Sequence, residues 1–217
     1  MILNIHKPIG WTSFDVVKKI RGIVREKKVG HGGTLDPFAE GVFILGTGRD
    51  TKQLTTITAE DKSYTATIQL GEMTNTLDTE GEIIETKPVP ELSQEKIKQV
   101  LISFLGKSLQ TPPMYSAKKV NGQRLYKLAR KNIEVKREPV EIQIKDIHLD
   151  DFNGSTITFS SICSKGTYIR VLGKDIAEKL GTVGYLTSLI RTQVGCFSID
   201  ESQSIQEFEE SWKSSVV

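Results

Sequence analysis

The residues best suited to chemistry form one glycine-rich stretch, residues 30–37, which reads Gly-His-Gly-Gly-Thr-Leu-Asp-Pro. Three glycines in four residues let the backbone approach another group closely, and the Asp-Pro pair holds the Asp36 carboxylate on a rigid turn. A carboxylate held in this way suits a covalent nucleophile or a general base, and His31 lies five residues before it. The same pattern also fits a structural Asx turn or a helix cap, so the residues alone leave both interpretations open.

Three further side chains could support a reactive Asp36. A buried aspartate needs a nearby cation to stay ionised, and Arg170 lies one turn into a predicted helix. Tyr64 opens a predicted strand and could present its ring to a flat substrate. Each has a plain alternative: a surface helix charge for Arg170 and a core or edge position for Tyr64. Tyr168 is equally ambiguous.

Other chemistries fit the sequence less well. The glycine-rich stretch lacks the Lys-Ser/Thr ending of a P-loop, and the Gly-Thr-Gly at residues 46–48 is too short to be specific. A glycosidase would need a second carboxylate with its own motif, and none stands out. The three histidines, His6, His31 and His148, show no metal-ligand spacing, so no metal site is predicted.

Charge is unevenly distributed along the chain, although the formal net charge is only +2. Residues 118–137 hold eight basic side chains and one acidic one, and residues 1–31 hold a second basic excess, while acidic residues concentrate in residues 59–100 and after residue 200. Such segregation can attract a polyanion, although a solvated charged face is the alternative. Tyr115 and Tyr126 lie among the basic residues, which favours a surface that contacts bases and phosphates together.

The composition is that of an ordinary globular protein: 217 residues, 37% of them hydrophobic. No apolar run approaches the length of a membrane span, and the N-terminus shows no secretory signal. Cys163 and Cys196 are expected to be free thiols in a reducing compartment, which predicts a cytoplasmic location.

Hydrophobic periodicity predicts strands and helices intermixed without a regular strand-helix-strand repeat, which favours a mixed α+β fold. The predicted strands are residues 2–5, 42–45, 64–70, 139–149, 155–163 and 185–197, with a hairpin return at 82–86. The first predicted helix is capped by Thr12 or Ser13, and three further helices are predicted at residues 93–104, 167–180 and 202–212. In the first helix, Phe14, Val17, Ile20 and Val24 are expected to face the core.

Four stretches together resemble one family. Residues 7–13 read Lys-Pro-Ile-Gly-Trp-Thr-Ser, and residues 29–37 contain the Asp-Pro turn. Residues 110–118 read Gln-Thr-Pro-Pro-Met-Tyr-Ser-Ala-Lys, and the last stretch joins residues 163–170, which end in Tyr-Ile-Arg, with residues 186–191. In this order they resemble bacterial tRNA pseudouridine-55 synthases, relatives of the catalytic subunit dyskerin. The likeness spans about residues 2–198, and its second and third stretches are highly specific.

The resemblance implies a pseudouridine synthase fold, with a mixed, mainly antiparallel sheet flanked by helices and loops. It implies a catalytic domain over residues 1–198 that contains an RNA-clamping segment at about residues 110–137. Residues 199–217 are expected to form an acidic helix or tail. Family members usually continue into a small RNA-binding domain of the PUA type, which we expect to be absent here.

The resemblance also implies roles for individual residues. Asp36 is expected to be the catalytic aspartate, Arg170 its ionic partner, and Tyr64 a residue that also helps to remove the C5 proton. The positions expected to contact the target nucleotide are His31, Tyr64, Tyr168 and Leu186. The positions expected to bind the T arm of tRNA are Lys118, Lys119, Arg124, Lys127, Arg130 and Lys131.

The expected function is therefore isomerisation of uridine 55 in the T loop of tRNA to pseudouridine, by base flipping and an essential aspartate. The resemblance implies no cofactor, no membrane contact and no obligate protein partner. The alternative is a tRNA-binding or tRNA-folding module with weak or no catalysis.

Overall fold

The computed structural model describes residues 1–120 and 122–216. These residues form the strands β1 (Ile2–Lys7), β2 (Val29–His31), β3 (Glu40–Thr47), β4 (Lys62–Leu70), β5 (Glu72–Thr74), β6 (Ile83–Thr86), β7 (Gly106–Gln110), β8 (Lys119–Val120), β9 (Gln123–Arg124), β10 (Val140–Phe152), β11 (Thr156–Cys163), β12 (Gly184–Val194) and β13 (Phe197–Ser198). They also form the helices α1 (Ser13–Val24), α2 (Leu54–Ala59), α3 (Gln94–Ile102), α4 (Leu125–Ala129), α5 (Ile169–Lys179) and α6 (Ile205–Val216), with a 3-10 helix at Gly48–Lys52.

The chain divides into two compact units. The first comprises residues 1–64 together with the chain from Leu189 onward, and the second comprises residues 65–188. Strands β4 and β12 each contribute residues to both units. The expectation of one catalytic domain over residues 1–198 stays a prediction.

The first unit is built around β3, whose residues are almost all buried. Strand β1 pairs with it antiparallel from Ile2 opposite Gly46 to Lys7 opposite Gly41, β2 also pairs with it, and β12 runs parallel to it where Ile190 lies opposite Glu40. One parallel pair among antiparallel ones makes the sheet mixed. This confirms the predicted α+β class with a mainly antiparallel sheet.

Helix α1 begins where the sequence predicts. Thr12 is its N-cap, and its hydroxyl accepts a hydrogen bond from the Asp15 N–H while the Asp15 carboxylate accepts one from the Thr12 N–H. The hydrogen bond from the Thr12 side chain is the main cause that lowers the pKa of Asp15 below its ordinary value. The prediction that Phe14 faces the core is wrong: its side chain is 65% exposed. Phe14 lies about 100° around the helix from buried Ser13, whereas Val16 falls on the buried face.

In the second unit the strand order is β12-β4-β11-β10-β7. Strand β4 shows the predicted alternation, with every second residue buried. The predicted return strand is present as β6, but it pairs antiparallel with the short strand β5, which the sequence did not predict, and not with β4. The sequence reading missed β7, the two-residue strands β8 and β9, and the five-residue helix α4, because segments this short carry little periodicity.

Within the described residues, no helix is both long and apolar enough to cross a membrane.

Candidate active site

Three predicted site residues lie in the first unit. Asp36 is half-buried in the loop that joins β2 to β3, and its carbonyl accepts a hydrogen bond from the Ala39 N–H at 3.1 Å. His31 ends β2, where its ring stacks on the Phe43 ring with 5.3 Å between centroids. Tyr64 is buried in β4. This places the Asp36 carboxylate on a loop between two paired strands, as the Asp-Pro turn predicts.

The residue after Asp36 is fixed by the N-terminal motif. The Pro37 carbonyl accepts hydrogen bonds from the Gly10 N–H at 2.8 Å and from the Lys7 ammonium at 3.3 Å. The ammonium of Lys7 also donates to the carbonyl oxygens of Pro8 and Trp11, and its side chain is fully buried. A buried ammonium needs several acceptors, and it finds them in the backbone of both segments. Lys7 and Gly10 of the motif at residues 7–13 therefore support the Asp36 turn directly.

The other residues predicted to act in catalysis or to contact the nucleotide lie in the second unit. Among them, Arg170 has the best-defined contacts. Its side chain is buried in α5 and is not a surface helix charge, so that alternative is wrong. The guanidinium donates to the Thr76 carbonyl at 2.6 Å and the Tyr115 carbonyl at 2.8 Å, and it lies 3.4 Å from the Asp78 carboxylate. The predicted pairing of Arg170 with Asp36 stays a prediction.

Asp78 is a buried ionic neighbour of Arg170 that the sequence did not predict. The residue is 2% exposed, and its carboxylate accepts hydrogen bonds from the Thr76 hydroxyl and, at 3.0 Å, from the Glu80 N–H. The Thr74 hydroxyl donates to the Asp78 carbonyl and accepts from the Asp78 N–H, so the turn is tied at both ends. The stretch reads as polar turn material. The available signal was a lone aspartate within a threonine-rich segment that ends at a glycine.

Two further predicted contacts with the nucleotide lie near Arg170. Tyr168 is half-buried at the start of α5, and the buried side chain of Gln110 donates to its carbonyl at 3.1 Å and accepts from its N–H at 2.8 Å. Leu186 is fully buried, and its N–H donates to the Leu77 carbonyl at 3.1 Å. A side chain at Gly173 would come within 2.7 Å of Leu186, so α5 packs closely on it. Gln110 thus belongs to the local scaffold of Tyr168.

The basic segment forms a surface of its own in the second unit. Lys118 is half-buried, and the other predicted RNA-binding cations are exposed. Arg130 stacks on the Tyr126 ring, with 5.6 Å from its guanidinium carbon to the ring centroid. A shallow pocket of about 660 Å³ has four cations in its lining, Lys119, Arg124, Lys127 and Lys131. A dense group of cations on an open surface suits phosphate groups.

Over residues 1–120 and 122–216, no group of three or more His, Cys, Asp or Glu side chains is arranged to hold a metal ion.

Residues 21–169 match the model of the TruB family pseudouridylate synthases, N-terminal domain. The chain belongs to this family. It is 47% identical over 215 residues to tRNA pseudouridine synthase B of Bacillus velezensis, covering 96% of this chain and 70% of that protein. The Bacillus subtilis protein of the same name is 46% identical over 222 residues, covering 100% of this chain and 72% of the relative.

Solved structures show the same fold. A crystal structure of a Cbf5-Nop10-Gar1 complex contains a chain that superposes with a TM-score of 0.78 at 27% identity. All of the present chain is covered, but it spans only 56% of that chain. Pseudouridylate synthases are isomerases, so the family assignment places the protein in that enzyme class.

Proposed function

We propose that the protein isomerises uridine 55 in the T loop of tRNA to pseudouridine. The observation that carries the proposal is the similarity to proteins named tRNA pseudouridine synthase B, at 43–47% identity over at least 96% of this chain for the relatives compared. The position of Asp36 also supports the proposal, because the loop that carries its carboxylate is held at Pro37 by hydrogen bonds from Lys7 and Gly10. The cytoplasmic location expected from the sequence stays a prediction.

The reaction breaks the N1–C1′ glycosidic bond, turns the uracil and rejoins it to the ribose through C5. Every atom of the uridine is kept, and the proton on C5 is exchanged for one on N1, so oxidation states balance without a co-reactant. Asp36 is proposed to start the reaction by attack on the ribose or the base, or by removal of a ribose proton. All three routes require an ionised carboxylate in a fixed place.

Arg170 is proposed to hold the Asp36 carboxylate ionised, and Tyr64 to stack on the target base and to help remove the C5 proton. His31, Tyr168 and Leu186 are proposed to contact the nucleotide region. Uridine 55 lies inside a folded loop, so the base must leave its stack before the carboxylate reaches it. That step costs a few kcal/mol, which stacking on an aromatic ring and phosphate contacts can offset.

The test is to map pseudouridine in unmodified tRNA after incubation with the protein. We expect a single modified position, uridine 55. A matched tRNA with cytidine at position 55 should remain unmodified at every other uridine. Conversion at a different site, or conversion of the cytidine-55 tRNA, contradicts the assigned target, and the absence of any conversion contradicts the proposed reaction.

The basic pocket predicts a salt-dependent affinity for tRNA. Four neutralising substitutions to Gln are chosen at the cations that line the pocket, Lys119, Arg124, Lys127 and Lys131. Each phosphate contact contributes about 0.7–0.9 to the slope of log affinity against log salt. If all four cations contact phosphates, the slope should fall by about 3. Filter binding at several salt concentrations measures it.

A matched control removes four positive charges from another exposed part of the second unit, Lys87, Lys96, Lys98 and Lys107. This variant has the same net charge as the pocket variant and should keep the original slope. Equal slopes for the pocket variant and the unsubstituted protein place the tRNA contacts elsewhere. The alternative function, a tRNA-binding or tRNA-folding module, predicts a steep slope together with no pseudouridine.

A further inference from the structure

The backbone directly before Asp36 is held by a side chain that has no assigned role, Ser13. Its hydroxyl donates to the Leu35 carbonyl at 2.9 Å and accepts from the Leu35 N–H at 3.0 Å. A serine hydroxyl has one donor and two acceptor positions, so it can make both hydrogen bonds at once. Ser13 is 8% exposed and Leu35 4% exposed, so the two polar groups of Leu35 are satisfied by a neighbour 22 residues away.

Arg191 holds the two residues that precede Leu35. Its side chain, 1% exposed, donates from Nη1 to the Thr34 carbonyl at 3.3 Å and from Nη2 to the Gly33 carbonyl at 3.5 Å. Its Nε donates to the Val42 carbonyl in β3 at 2.7 Å. The guanidinium fork therefore ties the loop to the strand that follows it. Only a planar group with several donors can reach all three carbonyls.

The position of Gly41 keeps Arg191 in place. Gly41 has φ +104° and lies opposite Arg191 in the pairing of β3 with β12, where a side chain would collide with the Arg191 backbone carbonyl. The two backbones can approach this closely only at a glycine. The close approach at Gly41 therefore fixes the backbone from which the Arg191 side chain extends to the Asp36 loop.

These contacts leave little freedom to the chain around Asp36. Hydrogen bonds hold the backbone of residues 33–35 on the N-terminal side of Asp36 and that of Pro37 on its C-terminal side. Without these hydrogen bonds, Gly32 and Gly33 would give the loop many accessible conformations, and holding it in one of them would cost conformational entropy. Ser13 is the first residue of α1, and its two hydrogen bonds with Leu35 connect that residue to the loop.

We propose that Ser13 is a positioning residue for the isomerisation and that Arg191 acts with it. Neither side chain reaches the substrate; together they fix the backbone before Asp36 so that its carboxylate is presented in one place. The inference rests on the proposed function, in which Asp36 is the reacting group. A misplacement of about 1 Å can cost on the order of a hundredfold in rate, so anchors of this kind affect turnover more than binding.

The test compares Ser13→Ala with Thr12→Ala. Both remove one hydroxyl at the start of α1, but within the described residues the Thr12 hydroxyl forms hydrogen bonds with Asp15 of its own helix, whereas the Ser13 hydroxyl forms them with Leu35 of the loop. Single-turnover rates at saturating tRNA, tRNA Kd values and Tm are measured for both, well below either Tm. We expect Ser13→Ala to lower the rate about ten- to a hundredfold with Kd within twofold, and Thr12→Ala to lower Tm without changing the rate.

Hydrogen exchange supplies a readout that does not depend on activity. The Leu35 N–H donates to Ser13, so its exchange should accelerate in Ser13→Ala and stay slow in Thr12→Ala. Ser13→Thr keeps a hydroxyl and should restore both the slow exchange and part of the rate. Equal rates for Ser13→Ala and Thr12→Ala overturn the proposal, as does unchanged exchange at Leu35.

If Ser13→Ala does not fold, Arg191→Lys tests the same idea. It keeps the buried positive charge but cannot span three carbonyls, so the rate should fall about tenfold with an unchanged Kd. An unchanged rate for Arg191→Lys overturns the proposal. Failure of the proposed function is a separate result, because the unsubstituted protein would then form no pseudouridine while exchange at Leu35 would still report on the anchor.

Discussion

Asp36→Asn is expected to abolish pseudouridine formation while tRNA binding is retained. The amide is nearly the same size as the carboxylate, and the contacts that hold the loop are made by the backbone at Leu35 and Pro37, so the fold around position 36 should survive. What is lost is the negative charge that attack or proton removal requires. A group with this role contributes on the order of 10³-fold or more to the rate. Release of tritium from tRNA labelled at uridine C5 measures it.

The control for this variant is Asp50→Asn in the same unit. Asp50 is partly exposed on the 3-10 helix, where its carboxylate lies 2.8 Å from the N-terminal amino group, whose hydrogen bond is the main cause that lowers the pKa of Asp50. Loss of that pair should leave the rate within about twofold, because a partly exposed pair near the protein surface contributes little. If Asp36→Asn turned over at the rate of the unsubstituted protein, that result would contradict the assignment of Asp36 as the catalytic aspartate.

Local patterns predicted much of the fold because they depend on neighbours in the chain. The alternation in β4 and the capped start of α1 need only residues within a few positions of each other, and both are confirmed. The position of Asp36 on a loop after β2 follows from Gly and Pro in the same way. Phe14 shows the limit of such patterns, since a residue at the edge of a helical face can point either way.

The support of the site could not be predicted because it depends on contacts between distant residues. Arg191 is 157 positions from Thr34, and Arg170 is 94 positions from Thr76. No periodicity links residues so far apart, so the sequence could nominate Arg170 but could not show that it is buried. Asp78 was missed for the same reason, since a threonine-rich turn looks solvent-exposed until its partner on α5 is known.

The second large effect is expected for Arg170→Met. This substitution keeps most of the volume of the side chain but leaves the Asp78 carboxylate and the carbonyls of Thr76 and Tyr115 without the guanidinium. Removing one member of a buried ion pair costs about 3–5 kcal/mol, because the remaining charge stays buried. Denaturant unfolding should show this loss in the free energy of unfolding. For a chain of this length Tm should fall by roughly 6–20 °C.

The matched control is Lys174→Met, one turn further along α5. Lys174 pairs with Glu178 at 2.7 Å on the partly exposed face of the same helix, and such a pair contributes about 0–1 kcal/mol. Similar stability losses for the two variants would contradict a buried ionic network at Arg170.

Asp78→Asn tests whether Arg170 acts only in the buried network or also in the reaction. The amide keeps an acceptor for the Thr76 hydroxyl, and the Arg170 guanidinium keeps the carbonyls of Thr76 and Tyr115 as acceptors. The free energy of unfolding should therefore fall less than in Arg170→Met. If Arg170 also holds Asp36 ionised, Arg170→Met should lose far more turnover than Asp78→Asn at temperatures where both are folded, because only the first removes the cation. Equal losses of turnover would instead assign Arg170 to the scaffold of α5 and leave the ionisation of Asp36 to another group.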